Sequence, residues 1–276
     1  MTCWSFSLEA PLEATATLLF PLPINTPEQR VADVRVEGGQ SHGPLQAQNS
    51  GQRALRLTVE AGAEPRVVVD FATEPQPFEP WAFAPTGGVH DTPSADLVDL
   101  MGRVAPAGLP AADRVWRIVR HVESSFSYGR RDLGLGDDTD AIPALECDLQ
   151  RGTCIDIHTY SVAALRAAGL EAAYVSGAFL AEGHSKGLSG HCWFVVRAEG
   201  VPHHWDISHF LEYGLGPVQP MLNPKPGMRQ ALSVGRDLVF AGPDGPVTLT
   251  RLSGFNRLGA RGGAERLATV TALLAA

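Results

Sequence analysis

Cys154 stands in the run Arg151-Gly152-Thr153-Cys154-Ile155-Asp156, where the apolar spacing of a helix begins. Unpaired backbone N–H groups and the helix dipole favour an anion at such a start, and a thiolate is one. A helix N-terminus lowers a cysteine pKa from its ordinary ~8.5, and Gly152 leaves the sulfur uncrowded. The same N–H groups can hold the oxyanion that forms when a thiolate attacks a carbonyl. Taken alone, a cysteine of this kind is more often a small buried hydrophobe.

Two further residues supply what a nucleophile needs. His191 opens the strand-like run Gly190-His191-Cys192-Trp193-Phe194-Val195-Val196, and Asp206 lies near the end of the next, Val201-Pro202-His203-His204-Trp205-Asp206-Ile207-Ser208. If Glu199-Gly200 forms a two-residue hairpin turn, Ala198 pairs with Val201, and the register sets His191 opposite Ser208 and Asp206 opposite Trp193. His191 and Asp206 then project from one face as diagonal neighbours, about 7–8 Å apart at the backbone. A four-residue loop keeps that parity and a three-residue loop reverses it. Cysteine, histidine and aspartate on a helix start and two adjoining strands are a nucleophile, its base and the group that orients the base.

These residues need elements to hold them. From Thr15 to Phe71 the signals are short alternating strands, at 16–20, 31–36, 55–59 and 66–71, punctuated by Gly38-Gly39, Ser50-Gly51 and Gly62, which predicts a small antiparallel β domain over 1–75. Pro77, Pro80, Pro85 and Pro93 mark 76–93 as an extended connector. The period then becomes helical. Ser94 caps a helix through about Val104, Pro110 opens a second that Tyr128-Gly129 ends, and a third runs from Cys154 to about Ala168 with Gly169 as its left-handed stop. The Gly- and Asp-rich stretch 132–140 reads as a mobile loop. Strands return at 173–180, 191–196 and 201–207. The tail shows a hairpin, 238–240 with 247–249, and an amphipathic helix over 264–276. Helices followed by an antiparallel sheet make an α+β domain, placed at 94–276.

Composition bounds the function. Of 276 residues 44% are hydrophobic and 19% charged, as in globular chains, and 22 basic against 30 acidic residues leave a net charge of −8 without a basic stripe. Nucleic acid and anionic membrane surfaces are therefore not expected partners. The N-terminal residues lack the basic and apolar regions of an export signal, and no apolar run reaches membrane-spanning length, so a soluble, cytoplasmic protein is expected. Four cysteines, Cys3, Cys147, Cys154 and Cys192, are then free thiols by default. Cys147, Cys154 and Cys192 sit among His184, His191, His203, His204 and His209, a mixture that suggests zinc. There is no Cys-x-x-Cys or helical His-x-x-x-His spacing, however, and Cys192 and His191 face opposite ways on their strand, so no metal is expected. Asp137-Asp138-Thr139-Asp140 lacks the spacing of a calcium loop.

The motifs resemble those of the transglutaminase-like superfamily of bacterial type. The likeness lies in Gly152-Thr153-Cys154, the helix end Leu165-Arg166-Ala167-Ala168-Gly169-Leu170, the strand Val175-Ser176-Gly177, then His191-Cys192-Trp193 and Trp205-Asp206, in that order. Gly235-Arg236-Asp237-Leu238 resembles a box that often follows, with Leu238 in place of tyrosine. The resemblance implies a papain-like α+β core preceded by a small β domain, with Cys154 as nucleophile, His191 as base and Asp206 as orienting carboxylate. It implies a hydrolase or acyltransferase that uses no cofactor and acts on a peptide or protein through a thioester. Water or an amine as second substrate decides between the two activities, and the triad does not distinguish them. A catalytically silent papain-like module that binds a peptide or partner is the competing expectation. Gln150 is a candidate oxyanion donor, His158 a cleft or core residue, and Trp193 and Trp205 core or cleft-lining aromatics.

Overall fold

The structure is a computed structural model that describes residues 1–146, 149–188, 190–259 and 263–274, so Cys147 lies outside the described residues. In chain order the elements are β1 (Thr2–Leu8), β2 (Ala16–Pro21), β3 (Arg30–Glu37), β4 (Gln40–Gln46), β5 (Arg53–Val59), β6 (Arg66–Ala72), α1 (Ala95–Val104), α2 (Ala111–Ser125), β7 (Phe126–Tyr128), β8 (Gln150–Gly152), α3 (Cys154–Ala167) and β9 (Glu171–Ala181). There follow β10 (Lys186–Leu188), β11 (His191–Ala198), β12 (Val201–Trp205), α4 (Ile207–Tyr213), β13 (Gly227–Val234), β14 (Leu238–Gly242), β15 (Gly245–Leu249), β16 (Asn256–Leu258), β17 (Ala264–Arg266) and β18 (Thr269–Leu274). This is a mixed α+β fold, as expected.

The described chain divides into two compact units: 1–82 with 176–191 and 227–276, and 83–175 with 192–226. The first is built of two five-stranded sheets, ordered β10-β18-β1-β6-β3 and β17-β16-β2-β5-β4, and the hairpin β14-β15. Alternation along β1, β2, β5 and β6 buries Trp4, Phe6, Phe20, Leu57, Val67 and Phe71 in one core with Phe255. Among the described residues of the expected C-terminal helix, 264–266 and 269–274 are strands instead, and β18 pairs with β1 from Thr269 opposite Leu8 to Leu274 opposite Cys3. Thr269-Val270-Thr271 is a β-branched run that fits a pleated surface, and the edge of β1 offers it a full ladder. The tail therefore belongs with the N-terminal strands, and the segment 94–276 does not form one compact unit.

The second unit is helical, with α3 at its centre. Burial runs unbroken from Asp156 through Leu165, and α1, α2 and α4 all touch α3. Small and apolar residues make that possible, and the polar ones are satisfied: Ser161 Oγ donates to the Ile157 carbonyl at 2.7 Å, and the Leu145 N–H donates to the Tyr160 hydroxyl at 3.2 Å. Ser94 caps α1 through the Leu97 N–H, as its position foretold. Helix α2 ends at Ser125, because Phe126 and Tyr128 continue as the short strand β7, which runs parallel to β8.

The connector is packed rather than extended. Phe78, Ala82, Phe83, His90 and Asp91 are buried, with 3-10 turns at Pro80–Phe83 and Val89–Asp91. Apolar residues between the prolines drive this. Within the second unit, Asp91 pairs with Arg166 near the end of α3, where burial lowers the guanidinium pKa to about 10.

Candidate active site

Helix α3 begins at Cys154 because Thr153 and Asp156 cap it. The Thr153 N–H and hydroxyl each donate to Asp156 Oδ2 at 2.9 Å, a capping box that fixes the first turn. Gly152 is required by close approach: a Cβ there would stand 2.9 Å from the Phe126 ring. Cys154 is half-buried at the head of a helix whose following turns are buried, so its sulfur lies at a partly accessible start beside the backbone N–H groups of the first turn.

Asp156 has a second role that the sequence did not announce. Its Oδ1 accepts the Leu135 N–H at 2.9 Å, tying the stretch 132–140 to the helix start. His90 Nε2 meets Asp137 Oδ1 at 3.1 Å in the same stretch, so this Gly- and Asp-rich loop is anchored at two points. Replacing Asp156 by Ala is expected to destabilise the fold by about 2–3 kcal/mol, since a cap is lost and a buried donor is left unpaired. Urea unfolding checks the figure. A loss below 0.5 kcal/mol would mean that the cap and the loop anchor carry no weight.

Asp206 is a fully buried, multiply engaged carboxylate of the second unit. The strand β12 stops at Trp205, so Asp206 is not the strand residue expected but the N-cap of α4. Its Oδ1 accepts from the Ser208 hydroxyl at 2.8 Å and the His209 N–H at 3.1 Å, and its Oδ2 lies 3.0 Å from His209 Nδ1. His158 Nε2 stands 3.5 Å from Oδ1, and both groups are 0% exposed. Helix α4, and with it the contact of His209 to Asp206, is not expected from the sequence; Asp206 as a cap and Gly214 as a left-handed stop, φ 60°, are the signals that bracket the helix.

His158 lies between this carboxylate and a thiol. Its Nε2 accepts the Ser208 N–H at 3.3 Å, which leaves the ring proton on Nδ1, 3.7 Å from Cys192 Sγ. Cys192 is itself hydrogen-bonded to Cys154. Burial first, then Cys154 through that bond and its charge, push the Cys192 thiol well above its ordinary pKa, so it is fully protonated near neutrality. Tyr128 pairs with Gly152 in the β7-β8 ladder, and burial, followed by Cys154, raises its pKa, keeping a neutral phenol near the thiol.

The β11-β12 hairpin has the predicted register. Ala198 pairs with Val201 and Phe194 with Trp205, around a two-residue turn in which Glu199 and Gly200 have φ of 53° and 82°. Since β12 ends at Trp205, Ser208 is helical and does not pair with His191. His191 is the first residue of β11, half-buried, with its ring 5.9 Å from that of Phe179. The chain passes from the first unit into the second between His191 and Cys192. Trp193 and Trp205 are core residues: Trp193 Nε1 donates to His204 Nδ1 at 3.1 Å, and Trp205 packs edge-on against Trp116 at 5.0 Å. Gln150 opens β8 and lines a shallow cavity of about 610 Å³ with Asp96, Asp99, Arg103 and Glu146.

Residues 99–210, a stretch that contains Cys154, His191 and Asp206, match the model of the transglutaminase-like superfamily. A candidate cysteine protease from Cytophaga hutchinsonii has a similar fold, with a TM-score of 0.52 at 13% identity, over 99% of this chain and 98% of that one. The periplasmic domain of TgpA from Pseudomonas aeruginosa aligns with a TM-score of 0.38 at 13% identity, over 77% of this chain and 89% of that one. None of the curated proteins matches the sequence.

Proposed function

From its transglutaminase-like domain over residues 99–210, we propose that the chain is a cysteine-dependent hydrolase or acyltransferase that acts on peptide or protein amides. The observation that carries this reading is Cys154 itself: a half-exposed thiol on the first residue of a buried, tightly capped helix. His191 takes the thiol proton, and the thiolate attacks the amide carbonyl. The negative charge that develops on the carbonyl oxygen is held by the N–H groups of the first turn of α3. His191 returns its proton to the leaving amine, which leaves a thioester on Cys154. Water then releases an acid, or a second amine takes the acyl group. Asp206 orients His191 and stabilises its charged form without taking its proton.

The test is a screen of peptide and glutamine-containing donors, with and without an added primary amine, read by mass spectrometry of the intact chain and of the released products. An acyl adduct on Cys154 that water or the amine clears is expected. A chain that binds donors without forming any adduct would make it a silent binding module, and the proposal would fall.

A further inference from the structure

The second unit places another thiol against the proposed nucleophile. Cys192 points from β11 into the helical core, 3% exposed, with Sγ 3.7 Å from His158 Nδ1. His158 follows Cys154 by one helical turn, so the two side chains share a face of α3. Cys154 packs against the same cluster of side chains that includes Cys192, and the two sulfurs are unbridged. One thiol of this pair is open to reagents and the other is sheltered.

We propose that Cys192 is a resolving cysteine: oxidation of Cys154 by a peroxide ends in an intramolecular disulfide between Cys154 and Cys192. This rests on Cys154 being the reactive thiolate. In the first step the Cys154 sulfur attacks the peroxide and the O–O bond breaks. One oxygen stays on sulfur as a sulfenic acid, and the other leaves as hydroxide. In the second step Cys192, as thiolate, attacks that sulfur; the S–S bond forms and the S–O bond breaks. The hydroxide leaves and is protonated to water. Overall two thiols lose two electrons and two protons, and hydrogen peroxide becomes two waters. The N–H of His158 that faces Cys192 stabilises the attacking thiolate, and the pull of the Cys154 negative charge on the Cys192 proton disappears once Cys154 is oxidised. The consequence is protection: the nucleophile is parked as a disulfide that a thiol reductant reopens, instead of advancing to the sulfinic acid.

The full chain is treated with hydrogen peroxide near neutral pH, its remaining thiols are blocked in denaturant, and unreduced peptides are mapped by mass spectrometry. The expected result is a linked peptide pair carrying Cys154 and Cys192, with two alkylatable thiols lost and both regained on dithiothreitol. In Cys192→Ala and Cys192→Ser variants, dimedone should trap the sulfenic acid on Cys154, and prolonged peroxide should cause a loss that dithiothreitol does not reverse. Cys154 oxidised to sulfinic acid in the unaltered chain, with Cys192 recovered as a free thiol, overturns the proposal, as does a bridge from Cys154 to Cys3 or Cys147. If Cys154 reacts with peroxide but forms no bridge, only this inference fails. If Cys154 reacts with neither peroxide nor iodoacetamide, the reading of it as nucleophile fails as well.

Discussion

Replacing Cys154 by Ala is expected to remove turnover of any donor that acylates the unaltered chain, by at least about a thousandfold and to the limit of detection. The sulfur carries the acyl group between its two transfers in the proposed cycle, and no other described thiol can substitute. Cys192 is buried and held protonated, and Cys3 lies in the first unit, where burial and then Asp70 raise its pKa. The fold should survive. Cys154 is half-buried at the first helical position, and alanine suits a helix, so calorimetry should show a change within about 1 kcal/mol. The capping contacts of Thr153 and Asp156 do not involve the sulfur. Activity equal to that of the unaltered chain would remove the assignment of the nucleophile.

Asp206→Asn should give the next largest effect, a fall in the acylation rate of about a hundredfold or more. Asparagine nearly matches aspartate in shape. Its carbonyl oxygen can still accept from the Ser208 hydroxyl and the His209 N–H, and its amide can donate to His209 Nδ1 if that ring moves its proton to Nε2. The fold therefore loses charge-assisted hydrogen bonds but leaves few groups unpaired, a cost of about 1–3 kcal/mol. What vanishes is the negative charge that supports an imidazolium beside a thiolate. His191→Ala should slow alkylation of Cys154 at least as much, and the two changes together should not add, since both act through one unit. Full additivity, or unchanged alkylation in the Asp206→Asn chain, would show that Asp206 is not the third member.

Local signals with a physical mechanism transferred well from sequence to fold. Gly169 has φ 73° just after α3, as a helix stop requires, and Glu199-Gly200 made the turn that fixed the β11-β12 register. Cys154 fell on the first residue of its helix because the Thr153-Asp156 cap is written locally. What failed depended on distant partners. Residues 264–276 carry a helical pattern, but the edge of β1, more than 260 positions earlier, draws 269–274 into a ladder. The proline-rich stretch promised an extended connector, yet Phe78, Phe83 and Asp91 are buried. Alternation up to Trp205 hid the cap at Asp206, so the strand was carried on to Ile207 and neither α4 nor the His209 contact was expected. The engagement of Asp206 with His158 and His209 joins residues from two helices, and no spacing rule in one sequence conveys it.

The central claim is that Cys154 is an activated thiolate, and its rate of alkylation by iodoacetamide as a function of pH measures that most directly. The rate is followed on the native chain from about pH 5 to pH 9, mapped by mass spectrometry, with Cys3 as internal reference. The Cys154 rate should already be near its plateau at pH 7, with a midpoint well below the ordinary ~8.5 and at least about tenfold faster than Cys3. A Cys154 rate that rises only with a midpoint at or above that ordinary value, in step with Cys3, contradicts it.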